Sequence, residues 1–200
     1  MSSEIKVNTI SEYTSANGVV IDGVTLKDSK IGGTITIPGS TGTMALTSDI
    51  SAGGLDGFQQ FRLNANLTSN AQFITANWEA PDSDYEAIGS QVSESSGVFS
   101  FGATGKYLII LQGTGYAGSG AYNNLQIQVD SGDGTFTNRG TAKVGSNGTE
   151  NSGYANALID VTSTDFEVKI YKSTNNASTI TYGETDANQT CVSFMRIGDT

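Results

Sequence analysis

Two neighbouring segments decide the fold: GVFSF at residues 97–101 and GKYLIIL at residues 105–111. Each begins with a glycine, which suits a tight turn, and Phe99 and Phe101 lie two residues apart, so both point to one face of a strand. The second segment is apolar on both faces. One face of an antiparallel sandwich strand meets the core, so the other needs a cover. A subunit interface would supply it, and the chain's own loops are the alternative.

The chain beyond residue 55 repeats this β pattern. LQIQV at residues 125–129 and FEVKI at residues 166–170 alternate between apolar and polar residues, as half-buried strands do. Turn-forming residues recur at intervals of about ten residues, and no segment has a helical period. The sequence therefore predicts an all-β, antiparallel fold, either a sandwich or a jelly roll. We predict strands at about 60–67, 72–76, 85–91, 97–101, 105–113, 123–130, 135–144, 154–162, 165–172, 179–183 and 190–197.

Residues 1–54 have a different character and contain a single aromatic residue, Tyr13. Glycine and aspartate separate their short apolar pairs, which predicts very short strands and turns. Such a Gly-rich segment buries too little apolar area to offset its ordering entropy, so it needs a partner. Three copies could wrap together, or the segment could lie on a larger particle; disorder in isolation is the alternative. We predict an anchoring or trimerising segment at 1–54, a joint at Gly53-Gly54 and a head domain at 55–200. The apolar pairs are Ile5/Val7, Val19/Ile21, Val24/Leu26 and Ile35/Ile37.

The charge pattern argues against several classes of partner. The 200-residue chain carries 20 acidic and 10 basic residues, for a net charge of −10. Its cations are scattered singly, so we expect no nucleic-acid binding and no membrane-surface binding. No signal-peptide pattern and no membrane-length apolar run is present, so we expect synthesis in a cytoplasm and any exterior location to be reached by assembly. The single cysteine, Cys191, is expected to be a small buried hydrophobe.

Enzymatic chemistry finds little support in the residues. The chain has no histidine, which excludes a Ser-His-Asp or Cys-His nucleophile and the usual zinc shells. We therefore expect no enzyme activity, no cofactor and no metal. A pair of carboxylates for glycan cleavage is the enzymatic alternative. The sequence DSGDG at 130–134 is interpreted as a hairpin turn, with a calcium loop as the alternative. The candidate carboxylates are Asp82, Asp84, Glu86, Asp130, Asp133 and Glu150.

The Gly-rich segment at residues 113–123 is the most suggestive surface candidate. Its glycines free the backbone, and Tyr116 and Tyr122, with the adjacent Asn123, could contact sugar rings. A flexible loop whose tyrosines pack at its base is the alternative.

The spacing of the two opening segments resembles a known signature. Gly-x-Phe-x-Phe at 97–101, followed after three residues by Gly-x-Tyr at 105–107, is similar to the complement-type head, the trimeric jelly roll shared with tumour necrosis factor-like proteins. Residues 192–197 resemble its closing strand, and Ile109 departs from the Phe often found there. The resemblance covers roughly residues 58–200 and implies a homotrimer. The closing strand is also apolar on both faces, with Cys191, Met195 and Ile197 opposing Val192 and Phe194. The interface candidates on the two doubly apolar strands are Tyr107, Ile109, Leu111, Met195 and Ile197.

Other segments resemble bacteriophage virion proteins. Residues 61–63, 77–79 and 93–99 are similar to heads in phage structural proteins, and residues 7–28 and 41–50 to segments recurring in phage fibres. This resemblance implies a short fibre or capsid decoration protein, located in the virion after assembly in the host cytoplasm. Its expected partners are other virion proteins: capsid, portal or tail adaptor. The alternative function is a receptor-binding adhesin that recognises a host-surface glycan or protein.

Overall fold

The structure, a computed structural model, describes three short N-terminal strands and residues 55, 57–82 and 85–200. The chain divides between Gly54 and Leu55 into two compact units. In the first unit, β1 (Val19–Ile21), β2 (Val24–Lys27) and β3 (Lys30–Gly32) form an antiparallel sheet in the order β1-β2-β3. Two of the predicted apolar pairs lie in β1 and β2, whereas Ile5/Val7 and Ile35/Ile37 lie outside the described residues.

The second unit consists of twelve strands joined by turns and loops, with no helix among the described residues. The strands are β4 (Gly57–Leu63), β5 (Gln72–Phe73), β6 (Trp78–Glu79), β7 (Val92–Ser95), β8 (Val98–Phe101), β9 (Gly105–Ala117), β10 (Tyr122–Asp130), β11 (Thr137–Ser146), β12 (Thr149–Val161), β13 (Glu167–Thr174), β14 (Thr179–Thr181) and β15 (Cys191–Gly198).

These strands form two layers of one antiparallel jelly roll. The first layer has the order β6-β4-β15-β9-β12, and the second has the order β11-β10-β13-β8-β7, with β5 paired to β13 and β14 to β9. The layers are continuous only at the β11–β12 hairpin, where Gly145 pairs with Glu150 and Ser146 with Thr149. Beyond these two pairs the strands have no further register pairs but stay close: a Cβ at Gly153 would lie 2.4 Å from the Lys143 carbonyl oxygen, and one at Gly140 would lie 2.9 Å from the Asn156 carbonyl oxygen. The core fills the space between the layers. The predicted all-β jelly-roll fold class is confirmed.

The alternation of the strands places one face of each layer in the core. Leu125, Ile127, Val168 and Ile170 are each at most 1% exposed, as their period of two requires. Phe99 joins the layers: its ring centroid lies 5.2 Å from that of Phe61, 5.4 Å from Trp78 and 5.1 Å from Phe194. Such tilted and edge-on ring contacts add to the hydrophobic stabilisation of burial.

The strand predictions fail at three points. Residues 85–91 form no strand apart from a bridge between Ile88 and Phe58, and β6 and β7 were not predicted. β9 runs on through a segment predicted to be a loop. A Cβ at Gly113 would lie 2.5 Å from a Leu125 methyl carbon, and one at Gly115 would lie 2.4 Å from the Ile180 carbonyl oxygen. These glycines therefore serve close packing inside a strand rather than a turn.

Candidate functional site

An uncovered apolar row crosses the outer face of the first layer. Cross-strand pairing aligns Phe58 of β4 with Met195 of β15, Met195 with Leu108 of β9, and Leu108 with Leu158 of β12. Ile88 extends the row beyond Phe58 through its bridge. We call Ile88, Phe58, Met195, Leu108 and Leu158 the apolar row. Side chains directly opposite on neighbouring strands lie about 5 Å apart, so these five form one continuous surface.

The exposure of this row is unusual for residues of its type. Leu158 is 64% exposed and Ile88 44% exposed, while Phe58, Leu108 and Met195 are partly exposed. Nearby, Ile197 is 51% exposed at the irregular end of β15. Single exposed apolar residues are common on soluble proteins, but a contiguous apolar strip indicates an interaction surface. Within the second unit, the second face of β9 is therefore left partly exposed.

Three of the predicted interface residues require correction. Tyr107, Ile109 and Leu111 are at most 1% exposed and face the core, because they pair with the inward residues of β12. The outward residues of β9 are instead Leu108 and Ile110. Of the remaining candidates, Met195 lies in the apolar row and Ile197 lies at the end of the same strand. The sequence analysis did not identify Leu158. A signal was present, because Leu158 is an apolar residue between Asn156 and Asp160 on the otherwise polar face of its strand.

Neutral polar groups occupy the same face beside the apolar row. The Gln60 amide donates to the Ser193 hydroxyl at 2.8 Å and accepts from the Asn188 amide at 3.0 Å. Gln112 donates to the Asn188 carbonyl oxygen at 3.0 Å, completing a chain of side-chain bonds across three strands. No charge interrupts this group of four residues. It is compatible with a surface that becomes buried, because its members already satisfy one another.

An ion-pair cluster closes the edge of this layer. Arg62 is 6% exposed and donates through Nε to Glu79 at 3.0 Å and through Nη2 to Asp82 at 2.9 Å. Burial opposes its charge, but the two carboxylates hold the pKa of Arg62 above its ordinary value. Cys191, the cross-strand neighbour of Arg62, is buried as predicted, and burial raises the pKa of its thiol to about 11. The thiol therefore stays protonated and unreactive at neutral pH.

The predicted tyrosine-rich loop does not exist as a surface loop. Tyr116 belongs to β9 and pairs with Glu150, whose carboxylate accepts a hydrogen bond from the Tyr182 hydroxyl. Tyr122 begins β10 and is 37% exposed. Asn123 is fully buried and donates to the Ile180 carbonyl oxygen and the Thr181 hydroxyl, so its assignment as a surface-binding residue is wrong. No ring contact joins the two tyrosines within the described residues.

The Asp130 segment is the hairpin turn that the sequence predicts. Asp130 Oδ1 accepts three backbone N–H bonds, from Gly132 at 2.9 Å, Asp133 at 3.0 Å and Gly134 at 3.1 Å. Burial favours the neutral acid, but these donors outweigh it and hold the pKa of Asp130 below its ordinary value. The carboxylate thus organises the turn as an internal anion.

We expect Asp130→Ala to lower the melting temperature by several degrees, with Asp130→Asn intermediate because its amide oxygen can still accept. Because the folded pKa is lowered, the contribution is present at neutral pH and is lost as pH falls below 3.8 through the folded value. Thermal melts of the three proteins at pH 7 and pH 3 measure this. Equal acid sensitivity of wild type and Asp130→Ala would contradict the assignment.

Lys172 is a buried cation that has no carboxylate partner among the residues that the structure describes. It is fully buried at the end of the core, and its ammonium donates to the Leu67 carbonyl oxygen at 3.1 Å and the Thr179 carbonyl oxygen at 3.2 Å. Burial lowers its pKa to about 8. Asn123 Oδ1, on the same inward side, has no hydrogen-bond partner. This end of the core is therefore polar and holds the 64–71 loop and β14 against the sandwich.

The lowered pKa of Lys172 makes stability depend on alkaline pH. Its charge costs free energy below pH 8, and this cost disappears as pH rises toward the ordinary value of 10.5. We expect the unfolding free energy of wild type, relative to Lys172→Met, to rise by on the order of 2–3 kcal/mol between pH 7 and pH 10. Urea unfolding across this range gives the difference, in which tyrosine and cysteine titrations cancel. Parallel pH profiles would show that Lys172 keeps an ordinary pKa.

Most of the described candidate carboxylates are already bonded to groups of their own chain, and Asp130 and Asp133 share one turn. Asp82 and Glu150 bind the partners given above, Asp133 caps the turn by accepting from the Thr135 N–H at 2.8 Å, and Glu86 is exposed. Asp84 lies outside the described residues. Across the described ranges, no three Asp, Glu or Cys side chains group closely enough to hold a metal ion. The same residues contain no apolar helix of membrane-spanning length.

A cleft adjoins the apolar row at Leu158, near the end of β12. It has a volume of about 300 Å³ and is lined by Val129, Ile159 and Phe166 on its apolar side and by Arg139 and Asp160 on its polar side. Leu158 lines it as well and so belongs to both features. The apolar surface therefore continues from the outer face of the first layer around its β12 edge.

Comparison with known proteins identifies the fold. Murine APRIL, in a crystal structure at pH 8.0, superposes with a TM-score of 0.53 and 11% identity, covering 70% of this chain and 98% of that chain. The Eiger TNF of S. frugiperda superposes with a TM-score of 0.52 and 12% identity, covering 72% and 93%. The head has a tumour necrosis factor-like jelly-roll fold. No family model matches the sequence, and no curated protein matches it. At these identities the similarity concerns the fold alone.

Proposed function

We propose that this chain is a non-enzymatic structural protein whose head assembles as a homotrimer. The observation that carries the proposal is the apolar row, from Ile88 to Leu158, on the outer face of the first layer. We infer that a second copy of the same head packs against this row and covers it. The resemblance of residues 97–109 to trimeric complement-type heads supports this assignment, and so does the TNF-like fold.

The two surfaces around Leu158 fit a closed ring of copies. In a three-fold assembly each copy presents two different patches, one to each neighbour. The flat apolar row offers one patch, and the β12 edge with its cleft offers the other. A stable interface needs about 800 Å² from each partner, with an apolar centre and a polar rim. The row supplies an apolar centre, and the bonded amides of Gln60, Gln112 and Asn188 supply a polar flank.

We place this trimer on a bacteriophage particle, as a short fibre or a decoration protein attached through residues 1–54. Support for the virion location comes from the sequence resemblance of residues 7–28 and 41–50 to fibre segments. Strands β1 and β2 lie within the first of these segments, and the sheet that they form with β3 fits a small module that binds a larger surface. Capsid, portal or tail adaptor proteins are the proposed partners. The absence of any histidine supports a role without catalysis or cofactor, and so do the bonds that Asp82, Asp130, Asp133 and Glu150 make within the chain.

Light scattering after size exclusion tests the trimer. We expect the full chain and residues 55–200 each to have a mass three times that of one chain, which is 20.8 kDa for the full protein. A monomeric full chain would overturn the proposed assembly. If the full chain is a trimer but residues 55–200 are a monomer, the N-terminal unit is responsible for trimerisation. The apolar row would then have no explanation.

Rebinding to particles tests the virion location. Particles from a phage strain lacking this gene are mixed with the full chain or with residues 55–200, then separated by density-gradient centrifugation. We expect the full chain to sediment with the particles and the truncated chain to stay at the top. Failure of the full chain to bind, or equal binding of the truncated chain, would refute anchoring by residues 1–54.

A further inference from the structure

The outer face of the second layer carries a group of aromatic and amide side chains that assembly through the apolar row leaves unused. Phe73 of β5 pairs with Tyr171 of β13, and their ring centroids lie 5.2 Å apart. Phe136, just before β11, adds a third ring with its centroid 5.5 Å from that of Phe73. All three rings are partly exposed. We call these rings, with Lys169, Gln126 and Gln128, the aromatic face.

Lys169 lies at the centre of the aromatic face. Its ammonium sits 4.2 Å from the centroid of the Phe136 ring and 5.7 Å from that of Phe73. The cation is thus held in place by the rings. Its carboxylate neighbour, Glu167, is 4.0 Å away, at the limit of an ion pair. Lys169 is therefore oriented, yet its charge is only weakly neutralised.

The amides beside Lys169 have hydrogen-bonding capacity to spare. Cross-strand pairing places Gln126 opposite Tyr171 and Gln128 opposite Lys169. Gln128 Nε2 donates to Gln126 Oε1 at 2.8 Å, which uses one donor and one acceptor. The Gln126 NH₂ group and the Gln128 carbonyl oxygen are left to bond a ligand. Tyr171 adds a phenol hydroxyl to the same row.

The charge balance of the aromatic face differs from that of the whole protein. The outward residues of β10 are the neutral Asn124, Gln126 and Gln128, followed by Asp130, whose carboxylate is occupied by three backbone N–H bonds of its own turn. Apart from the buried Lys172, strands β10, β11 and β13 carry three cations (Arg139, Lys143 and Lys169) and two carboxylates (Asp130 and Glu167), which is an excess of one positive charge on a chain with a net charge of −10. Local positive potential on an acidic protein favours an anionic ligand and disfavours a second copy of the chain.

We propose that the aromatic face binds acidic oligosaccharides that carry carboxylate groups. Aromatic rings pack against the C–H faces of sugar rings, amides and a phenol bond their hydroxyls, and Lys169 forms a charge-assisted bond with a sugar carboxylate. The combination of apolar rings with a few convergent polar groups is the usual composition of a ligand site. This inference does not depend on the trimer, because all six residues belong to one chain and to the layer opposite the apolar row.

The test uses the full chain and an array of uronate- and sialate-containing oligosaccharides, each printed beside its carboxyl-reduced form. We expect binding to carboxylated members and at least tenfold weaker binding to the reduced forms. Lys169→Gln and Phe136→Ala should each weaken binding at least tenfold. Lys106→Gln, which removes a cation from the first layer, is the matched control and should bind as wild type does.

Three outcomes would overturn the proposal: no carboxylated member binds at millimolar concentration, reduced forms bind equally well, or Lys169→Gln binds as wild type does. Tyr171→Phe keeps the ring and removes only the hydroxyl, so it tests the site even if Phe136→Ala fails to fold; unchanged binding would also count against the site. Light scattering on the same samples reports the trimer separately, so failure of glycan binding and failure of assembly are distinguishable.

Discussion

Leu158→Asp is expected to reduce the mass of the protein in solution from three chains to one while leaving the fold of each chain intact. Leu158 is 64% exposed in the single chain, so a carboxylate there is hydrated and costs the isolated fold little. In the assembly the same carboxylate would face the apolar row of a neighbour, and the adjoining cleft already holds one carboxylate, Asp160, for its one cation, Arg139, so the new charge would have no cation of its own. Burying an unpaired charge costs several kcal/mol, and a three-fold ring would contain three such sites.

The control for this variant is Tyr122→Asp. Tyr122 is an exposed apolar residue at 37%, but it begins β10, away from the row formed by β4, β15, β9 and β12. Light scattering should give three chains for this control and one for Leu158→Asp, with matching far-ultraviolet circular dichroism. A trimeric Leu158→Asp protein would show that the trimer contact lies elsewhere. Loss of β structure in Leu158→Asp would show that this residue supports the single chain.

The fold class follows from the sequence because most strands alternate in only one way. In LQIQV at 125–129 the apolar residues all fall on one face, so only one orientation buries them, and Leu125, Ile127 and Val129 are buried. The orientation of β9 could not be predicted in this manner. On β9, residues 107, 109 and 111 of one face and residues 108 and 110 of the other are all apolar. Alternation alone therefore permits either face to point inward.

Long-range pairing resolves what alternation leaves open in β9. The register with β12 sets Ile109 beside Ala157 and Leu111 beside Ala155, two small residues that complete the core side. Tyr107 packs its ring 4.8 Å from that of Phe101 and donates its hydroxyl to the Ala103 carbonyl oxygen. These contacts join residues distant in the sequence, which is why the interface candidates were assigned to the wrong face of this strand.

Neither the burial of Asn123 nor the aromatic face could be predicted from neighbouring residues, because both depend on contacts between residues distant in the sequence. Asn123 follows a glycine-rich segment and has the composition of a loop, yet its amide bonds β14 nearly sixty residues later. Phe73 and Tyr171 are about a hundred positions apart and meet only through the β5–β13 pairing. By contrast, Leu158 carried a local signal, because an apolar residue between Asn156 and Asp160 breaks the polar phase of β12.

Phe99→Ala is expected to destabilise each chain by about 3–5 kcal/mol, the cost of removing a fully buried phenylalanine from a core that cannot collapse around the cavity. Phe99 is fully buried, and its ring contacts Phe61 and Phe194 of the first layer as well as Trp78. The cavity would lie between the layers, where the strands are held apart by their hydrogen-bonded neighbours. Since a domain has about 5–15 kcal/mol of total stability, this loss is a large share of it.

Urea unfolding followed by Trp78 fluorescence measures the effect of Phe99→Ala, because the indole packs edge-on against the Phe99 ring with centroids 5.4 Å apart. Phe99→Leu is the conservative control and should lose less, since it retains most of the buried volume. Phe73→Ala is the surface control: its ring is partly exposed, so its truncation should cost a minor fraction of the Phe99 value. Equal losses for the Phe99 and Phe73 alanine variants would mean that the outer aromatic group stabilises the fold as strongly as the core does, and would recast that group as structural rather than ligand-binding.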